Sequence, residues 1–419
     1  MRLPLMLLLA LLADIVTMAA ASRPPDIPFA PRALDPGASE TAAVADINHD
    51  GRADIVSGEY WYEAPSWTRH RFRDLDFTSS YIDAFSDLPL DVDGDGYPDI
   101  ITVSWFAKKI SWWKNPGRTR AAWMETGIDS GFPVEFAFLV DLDNDGQARE
   151  LLPQSGSETA PLAWYELKAG AGGGTGGGSG SNGAAGGTAG GVTWVKHVVS
   201  PRSYGHGIGA GDVNGDGRAD ILTPKGWLEA PADPRAAGEW TMHAAWEEKQ
   251  HLGFLHVVDV NGDKRPDVLT TAAHDYGVFW LEQGANGQWT RHLIDDAWSQ
   301  GHASTLVDLN GDGQLDLVTG KRFMAHNGKD PGEREPLGVY WYEHRALAGA
   351  GAGAAAAQSG GVEWIRHVID YGGRVGGGMQ IPVIDLDGDG DLDLVCAGKS
   401  GLFIVENKTK DAAAGRRAP

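Results

Sequence analysis

A nine-residue pattern, Asp-x-Asp/Asn-x-Asp-Gly-x-x-Asp, recurs seven times along the 419 residues, and no other feature limits the fold so strongly. The copies begin at Asp46, Asp91, Asp141, Asp212, Asp259, Asp308 and Asp385. A fixed repeat signals an array of like units, each burying its apolar face against the next. The intervals are 45, 50, 71, 47, 49 and 77 residues. The two long intervals hold low-complexity inserts, residues 169–191 (Gly/Ala/Ser/Thr) and 346–361 (Ala/Gly). Such stretches cannot bury a core, so they are expected to be disordered surface loops. Without them the period is about 50 residues, within the range of propeller blades.

Each unit repeats one order of apolar runs. One run precedes the Asp loop (Ser304-Thr-Leu-Val before Asp308), a second follows it (Leu315-Asp-Leu-Val-Thr319), and a third is aromatic (Tyr60-Trp-Tyr-Glu63, Val339-Tyr-Trp-Tyr342). A fourth often begins at Trp and reaches His three residues on, as in Trp67/His70, Trp194/His197 and Trp364/His367. Four short strands per unit predict an all-β, seven-bladed β-propeller over residues 29–408. A solenoid needs capping repeats, and the sequence shows none. The last unit supplies three strands after Asp385, while Phe29–Leu34 stands in the slot of a fourth. The N-terminal strand is therefore expected to close the last blade and leave no open edge.

The Asp pattern suits a hard cation. Side chains at positions 1, 3, 5 and 9 converge, the carbonyl at position 7 can join them, and glycine at position 6 permits the bend. Calcium takes six to eight such oxygens, so a calcium loop is expected between the first two strands of each blade. The expected ligands are Asp46, Asn48, Asp50 and Asp54; Asp91, Asp93, Asp95 and Asp99; Asp141, Asp143 and Asp145; Asp212, Asn214, Asp216 and Asp220; Asp259, Asn261, Asp263 and Asp267; Asp308, Asn310, Asp312 and Asp316; and Asp385, Asp387, Asp389 and Asp393. The second and seventh sets look complete. The third has Arg149 at position 9 and the fifth has Lys264 in place of glycine, which leaves their occupancy open.

The same register exposes a second set of residues. Six positions before the first Asp of each loop stand Glu40, Phe85, Glu135, His206, Gly253, His302 and Met379. These begin the innermost strands, so they should ring one mouth of the central channel. His251 lies close by in sequence, and the loops after the second strands bring Lys225, His274, Asp275, Tyr276, Lys321, Arg322, His326 and Arg334 to that mouth. Imidazoles suit zinc or another divalent transition metal, where the Asp loops suit calcium. Glu135, His206, His302, His251, His274 and His326 are the candidate catalytic or metal-binding group, and Lys225, Tyr276, Lys321, Arg322 and Arg334 are candidates to hold substrate. A hydrated, hydrogen-bonded channel lining is the competing reading.

The formal net charge of −22 disfavours nucleic acid or an anionic membrane as partner. Residues 1–21 read as a signal peptide, with Arg2, an apolar run from Leu3 to Leu12 and Ala19-Ala20-Ala21 at the cleavage site. The run is too short to span a bilayer, and no later segment does so. A secreted, periplasmic or extracellular protein is expected, with a disordered tail at 409–419. Cys396 is the only cysteine, so no intrachain disulfide staples the fold.

The Asp-loop units resemble the calcium-binding propeller repeats called FG-GAP or VCBS repeats. His206-Gly-Ile-Gly-Ala-Gly-Asp212, Gln300-Gly-His302 and Ala325–Gly338 are similar to stretches in the propeller domain of aldos-2-ulose dehydratases. That resemblance implies metal-assisted elimination of water from keto-sugars such as 1,5-anhydrofructose, and hence a carbon–oxygen lyase with a carbohydrate partner. The family often carries cupin-type domains after the propeller, and this chain does not, which puts any associated isomerase step in doubt. A non-catalytic secreted binding or adhesion propeller is the alternative. A polysaccharide lyase is a third reading and would need a groove for polymer.

Overall fold

The computed structural model describes residues 26–37, 39–119, 121–169, 188–189, 191–346 and 361–410. The expected signal peptide, most of both inserts and nearly all of the 409–419 tail lie outside those residues. No helix among the described residues is long and apolar enough to cross a membrane.

Among the described residues, seven antiparallel sheets of four or five strands form the fold, with one additional two-stranded hairpin. Blade one runs Ala43–Ala45, Asp54–Ser57, Tyr60–Glu63 and Thr68–Arg71. Blade two runs Ser86–Leu90, Asp99–Ser104, Lys109–Lys114 and Met124–Ser130. The first strands of the remaining blades are Val134–Val140, Gly209–Gly211, His256–Val258, Gly301–Val307 and Val383–Ile384. In blade seven, Phe29–Asp35 pairs with Gly401–Asn407 as the outer strand. The ends of both low-complexity stretches join the sheets. Ala169 and Ala346 finish strands, and Thr188–Ala189 pairs with Val192–Thr193 as a fifth strand of blade three.

One packing device recurs on the outer half of the blades. The third-strand Trp stacks on the fourth-strand His opposite it: Trp61 on His70, Trp164 on His197, Trp227 on His243, Trp280 on His292 and Trp341 on His367, with ring centroids 4.1–4.5 Å apart. Each His also meets the Glu two residues after its Trp, at 2.7–3.1 Å. The indole fills the core while the carboxylate satisfies the imidazole, so these five histidines are structural. Blade two departs from the pattern: Lys114 replaces the Glu and Thr126 faces Trp112.

Close approach shapes the inner strands. A Cβ at Gly253 would sit 2.6 Å from the His302 carbonyl oxygen, so only glycine lets blade five reach blade six there. Beside it, the buried Gln300 adopts φ 72°. A non-glycine residue in that region costs roughly 1–3 kcal/mol and persists where its surroundings enforce it, often at functional sites.

Candidate functional site

The channel mouth gathers a cluster of side chains from four blades. Glu135 starts the first strand of blade three, His206 precedes that of blade four, and His302 lies in that of blade six. His274 comes from the turn after Asp267–Thr271 of blade five. One ligand atom from each of these four residues lies within 4.8 Å of all the others. His206 Nε2 stands 2.9 Å from Glu135 Oε2 and 3.1 Å from His274 Nε2, and His302 Nε2 is 3.3 Å from His274 Nε2.

The outer atoms of these rings decide their tautomers. His206 Nδ1 donates to the Leu252 carbonyl at 2.7 Å, and His274 Nδ1 donates to Asp330 at 2.7 Å. His302 Nδ1 points at the Gln300 carbonyl at 3.5 Å. Carbonyl and carboxylate oxygens only accept, so these contacts place a proton on Nδ1 of each ring and turn Nε2 toward the cluster, bare in neutral His274 and His302. Three Nε2 atoms and a carboxylate oxygen thus face one point. Burial pushes His274 and His302 well below the usual histidine range, with His206 and Arg322 adding to the effect, so both stay neutral. Burial alone would raise the Glu135 carboxyl, but His206 and Arg322 outweigh it and hold it far below the usual carboxylate range. An oxygen and three imidazole nitrogens arranged this way suit a divalent transition metal.

The remaining candidates fall into two groups. His326 and His251 join the cluster's edge. The His326 ring lies parallel to His274 at 4.2 Å and that of His251 parallel to His206 at 5.2 Å. Lys321 and Arg322, expected to hold substrate, are both 1% exposed and already engaged. Lys321 Nζ donates to Ser299 Oγ at 2.9 Å and the Gly332 carbonyl at 2.6 Å, which anchors a loop. Arg322 forks onto Glu40 at 2.9 and 3.1 Å and reaches Glu135 at 3.1 Å, so it positions a cluster carboxylate. Tyr276 donates to Glu335 at 2.6 Å. Arg334 and Lys225 are exposed and are not part of the histidine group.

A cavity of about 250 Å³ opens beside the cluster. Tyr81, Phe85, Trp105 and Phe106 line it, together with Glu135, Arg322 and His326. The connection from Arg322 to Leu337 of blade six and the Phe77–Ile82 hairpin of blades one and two meet over this mouth. Ser80 Oγ donates to Asn327 at 2.7 Å, and the Tyr81 hydroxyl donates to the Ala325 carbonyl. Buried Glu333 accepts the His326 amide proton. Asp330, Glu333 and the aromatic wall escaped the sequence reading. The only signal for Asp330 was its place four residues after His326 in a polar insertion.

The Asp loops form the second set of acidic groupings. In six of them the position-9 Asp is buried and clamps two backbone amides. Asp54, for example, accepts from Ile47 at 3.0 Å and Ala64 at 2.8 Å. Burial pushes these carboxyls up, Asp99 to about 7 and Asp54 to about 6. Oxygens of Asp91, Asp93 and Asp99 lie within 4.8 Å of one another, as do those of Asp385, Asp387 and Asp393. In the third loop, Glu150 takes the place that Arg149 vacates. Its longer side chain reaches back from one position later and accepts the Leu142 amide at 3.0 Å, with Asp141 and Asp143 in the same group. Five of the loops hold a cation from the chain itself: Arg52 contacts Asp50, Lys114 contacts Asp93 and Asp95, Arg235 contacts Asp143, Arg218 contacts Asp216, and Arg265 contacts Asp263.

Comparison with known proteins agrees with this architecture. Residues 91–148 and 259–319 match the FG-GAP-like repeat. No curated protein matches the chain. Among solved structures, the chain is similar to BBS1N in complex with ARL6DN, at 10% identity over 91% of this chain and 96% of that one, with a TM-score of 0.48. It is also similar to an Agrocybe aegerita protein described as recognising non-reducing terminal N-acetylglucosamine (14% identity, 89% and 81% covered, TM-score 0.32). A third is the V. cholerae biofilm matrix protein Bap1 (12% identity, 88% and 87% covered, TM-score 0.36). At these identities and scores, none bears on ligand or activity. The chain is a seven-bladed β-propeller carrying FG-GAP-like repeats.

Proposed function

We propose that the mouth cluster holds a divalent transition metal, such as zinc, and that the chain is a secreted lyase eliminating water from a small keto-sugar. The observation that carries this reading is the convergence of three imidazole nitrogens and one carboxylate oxygen on one point, with the Nδ1 atoms of His206 and His274 held from outside. The stretches that resemble aldos-2-ulose dehydratases supply His206, His302 and His326, all at this mouth. In the same reading, calcium fills Asp loops on the blades, and the N-terminal strand latches the ring through blade seven.

A metal in this cluster supplies Lewis acidity toward a carbonyl or hydroxyl oxygen. The chain's residues do the rest. Arg322 keeps Glu135 ionised and aimed inward. His326 lines the cavity and donates through Nδ1 to Asp330 at 2.9 Å, which leaves Nε2 as its basic atom. That nitrogen takes the proton α to the carbonyl, the carbon–oxygen bond at the β position breaks, and the imidazolium returns the proton to the departing hydroxide as water. The aromatic wall offers faces for a sugar ring and excludes water. The roofed 250 Å³ volume favours a small substrate over a polymer.

The test is turnover of 1,5-anhydrofructose and related keto-sugars by metal-loaded protein, followed by the absorbance of the conjugated product. His326→Ala should lower the rate by roughly 10²–10⁴-fold while the metal stays bound. A metal-loaded protein that turns over none of these sugars contradicts the lyase reading and favours the non-catalytic binding or adhesion propeller.

A further inference from the structure

We infer that Asp330 is the positioning residue of the mouth, fixing through one carboxylate oxygen both the ligand His274 and the base His326. The inference rests on reading the cluster as a metal site. Asp330 Oδ2 accepts from His274 Nδ1 at 2.7 Å and from His326 Nδ1 at 2.9 Å. The two rings are consequently parallel, with an interplanar angle of 1°. One acceptor therefore sets the same tautomer in both rings and leaves both Nε2 atoms bare.

Asp330 is itself held in place. Its loop is fastened on one side by Lys321 to Gly332 at 2.6 Å and on the other by Asn327 to Ser80 at 2.7 Å. The roof over the cavity and the metal ligand from blade five thus share one hinge point. Without Asp330, neutral His274 loses the acceptor that keeps its proton on Nδ1. Part of the population then carries the proton on Nε2, where it blocks ligation. A carboxylate behind a ligating imidazole also raises its basicity, and losing such a partner typically weakens a metal by about 10–100-fold.

The experiment measures zinc affinity by competition with a chromophoric chelator in wild type, Asp330→Ala, Asp330→Asn and His326→Ala. Asp330→Ala should weaken zinc by roughly 10–100-fold. Asp330→Asn should recover most of it, because the amide oxygen still accepts from Nδ1. His326→Ala should bind zinc almost as wild type does, and thermal unfolding should be similar in all four proteins. Wild-type uptake with unchanged affinity in Asp330→Ala overturns the role of Asp330 alone. An Asn variant as weak as the Ala variant overturns the hydrogen-bond account. A wild type that takes up no zinc overturns the metal reading and, with it, this role.

Discussion

The Asp loops and the channel mouth are both built by the repeat, yet they differ in kind. The loops repeat with few changes: seven starting Asp side chains and six buried position-9 Asp clamps, all presenting oxygen. The mouth repeats only in register. Its minus-six positions carry Glu, Phe, Glu, His, Gly, His and Met, and nitrogen enters from two of them and one following loop. A device that appears seven times maintains the scaffold, and losing one copy leaves six. A position whose geometry repeats but whose residue does not is free to hold chemistry, and there each side chain counts.

Three changes sharpen this contrast. The largest effect is expected from removing calcium. If the loops bind it, a calcium-selective chelator should lower the melting temperature by many degrees, and added calcium should restore it by mass action. An unchanged melting curve, with no calcium in the protein, contradicts structural calcium. Next is Glu150→Ala, which leaves the buried Leu142 amide without its acceptor and should cost about 1–3 kcal/mol in denaturant unfolding. A cost near zero would mean that Glu150 does not replace the missing Asp. The smallest effect is expected from Arg149→Ala, within about 0.5 kcal/mol of wild type by the same measurement. A larger loss would return the third loop to the residue at position 9.

Much of this was legible because the repeat transfers geometry from blade to blade. Counting six residues back from each loop found Glu135, His206 and His302, which share that register although their strands begin at different distances from the Asp loop. His274 and His326 followed from the loops that share that mouth. What failed was anything decided by a partner far away in sequence. Arg322 looked like a free guanidinium for substrate, but its carboxylate partner Glu40 is 282 residues away. Lys321 looked equally available until the fold placed Ser299 and Gly332 around its ammonium group. Glu150 escaped because the pattern counts positions, whereas the side chain's extra methylene makes up for a shift of one. The Phe77–Ile82 hairpin carries no repeat signature, so Tyr81 had no signal, whereas Trp105 and Phe106 sit in the loop after the second strand of blade two, where the same register could have found them.

The most direct test of two metal chemistries on one propeller is elemental analysis of the purified protein after exposure to calcium and zinc together and exhaustive dialysis, alongside His302→Ala and Asp385→Ala. Wild type should hold one equivalent of zinc and several of calcium, His302→Ala should lose zinc alone, and Asp385→Ala should keep its zinc and lose about one equivalent of calcium. Zinc that survives His302→Ala, or a wild type that retains only calcium, would contradict two metal chemistries.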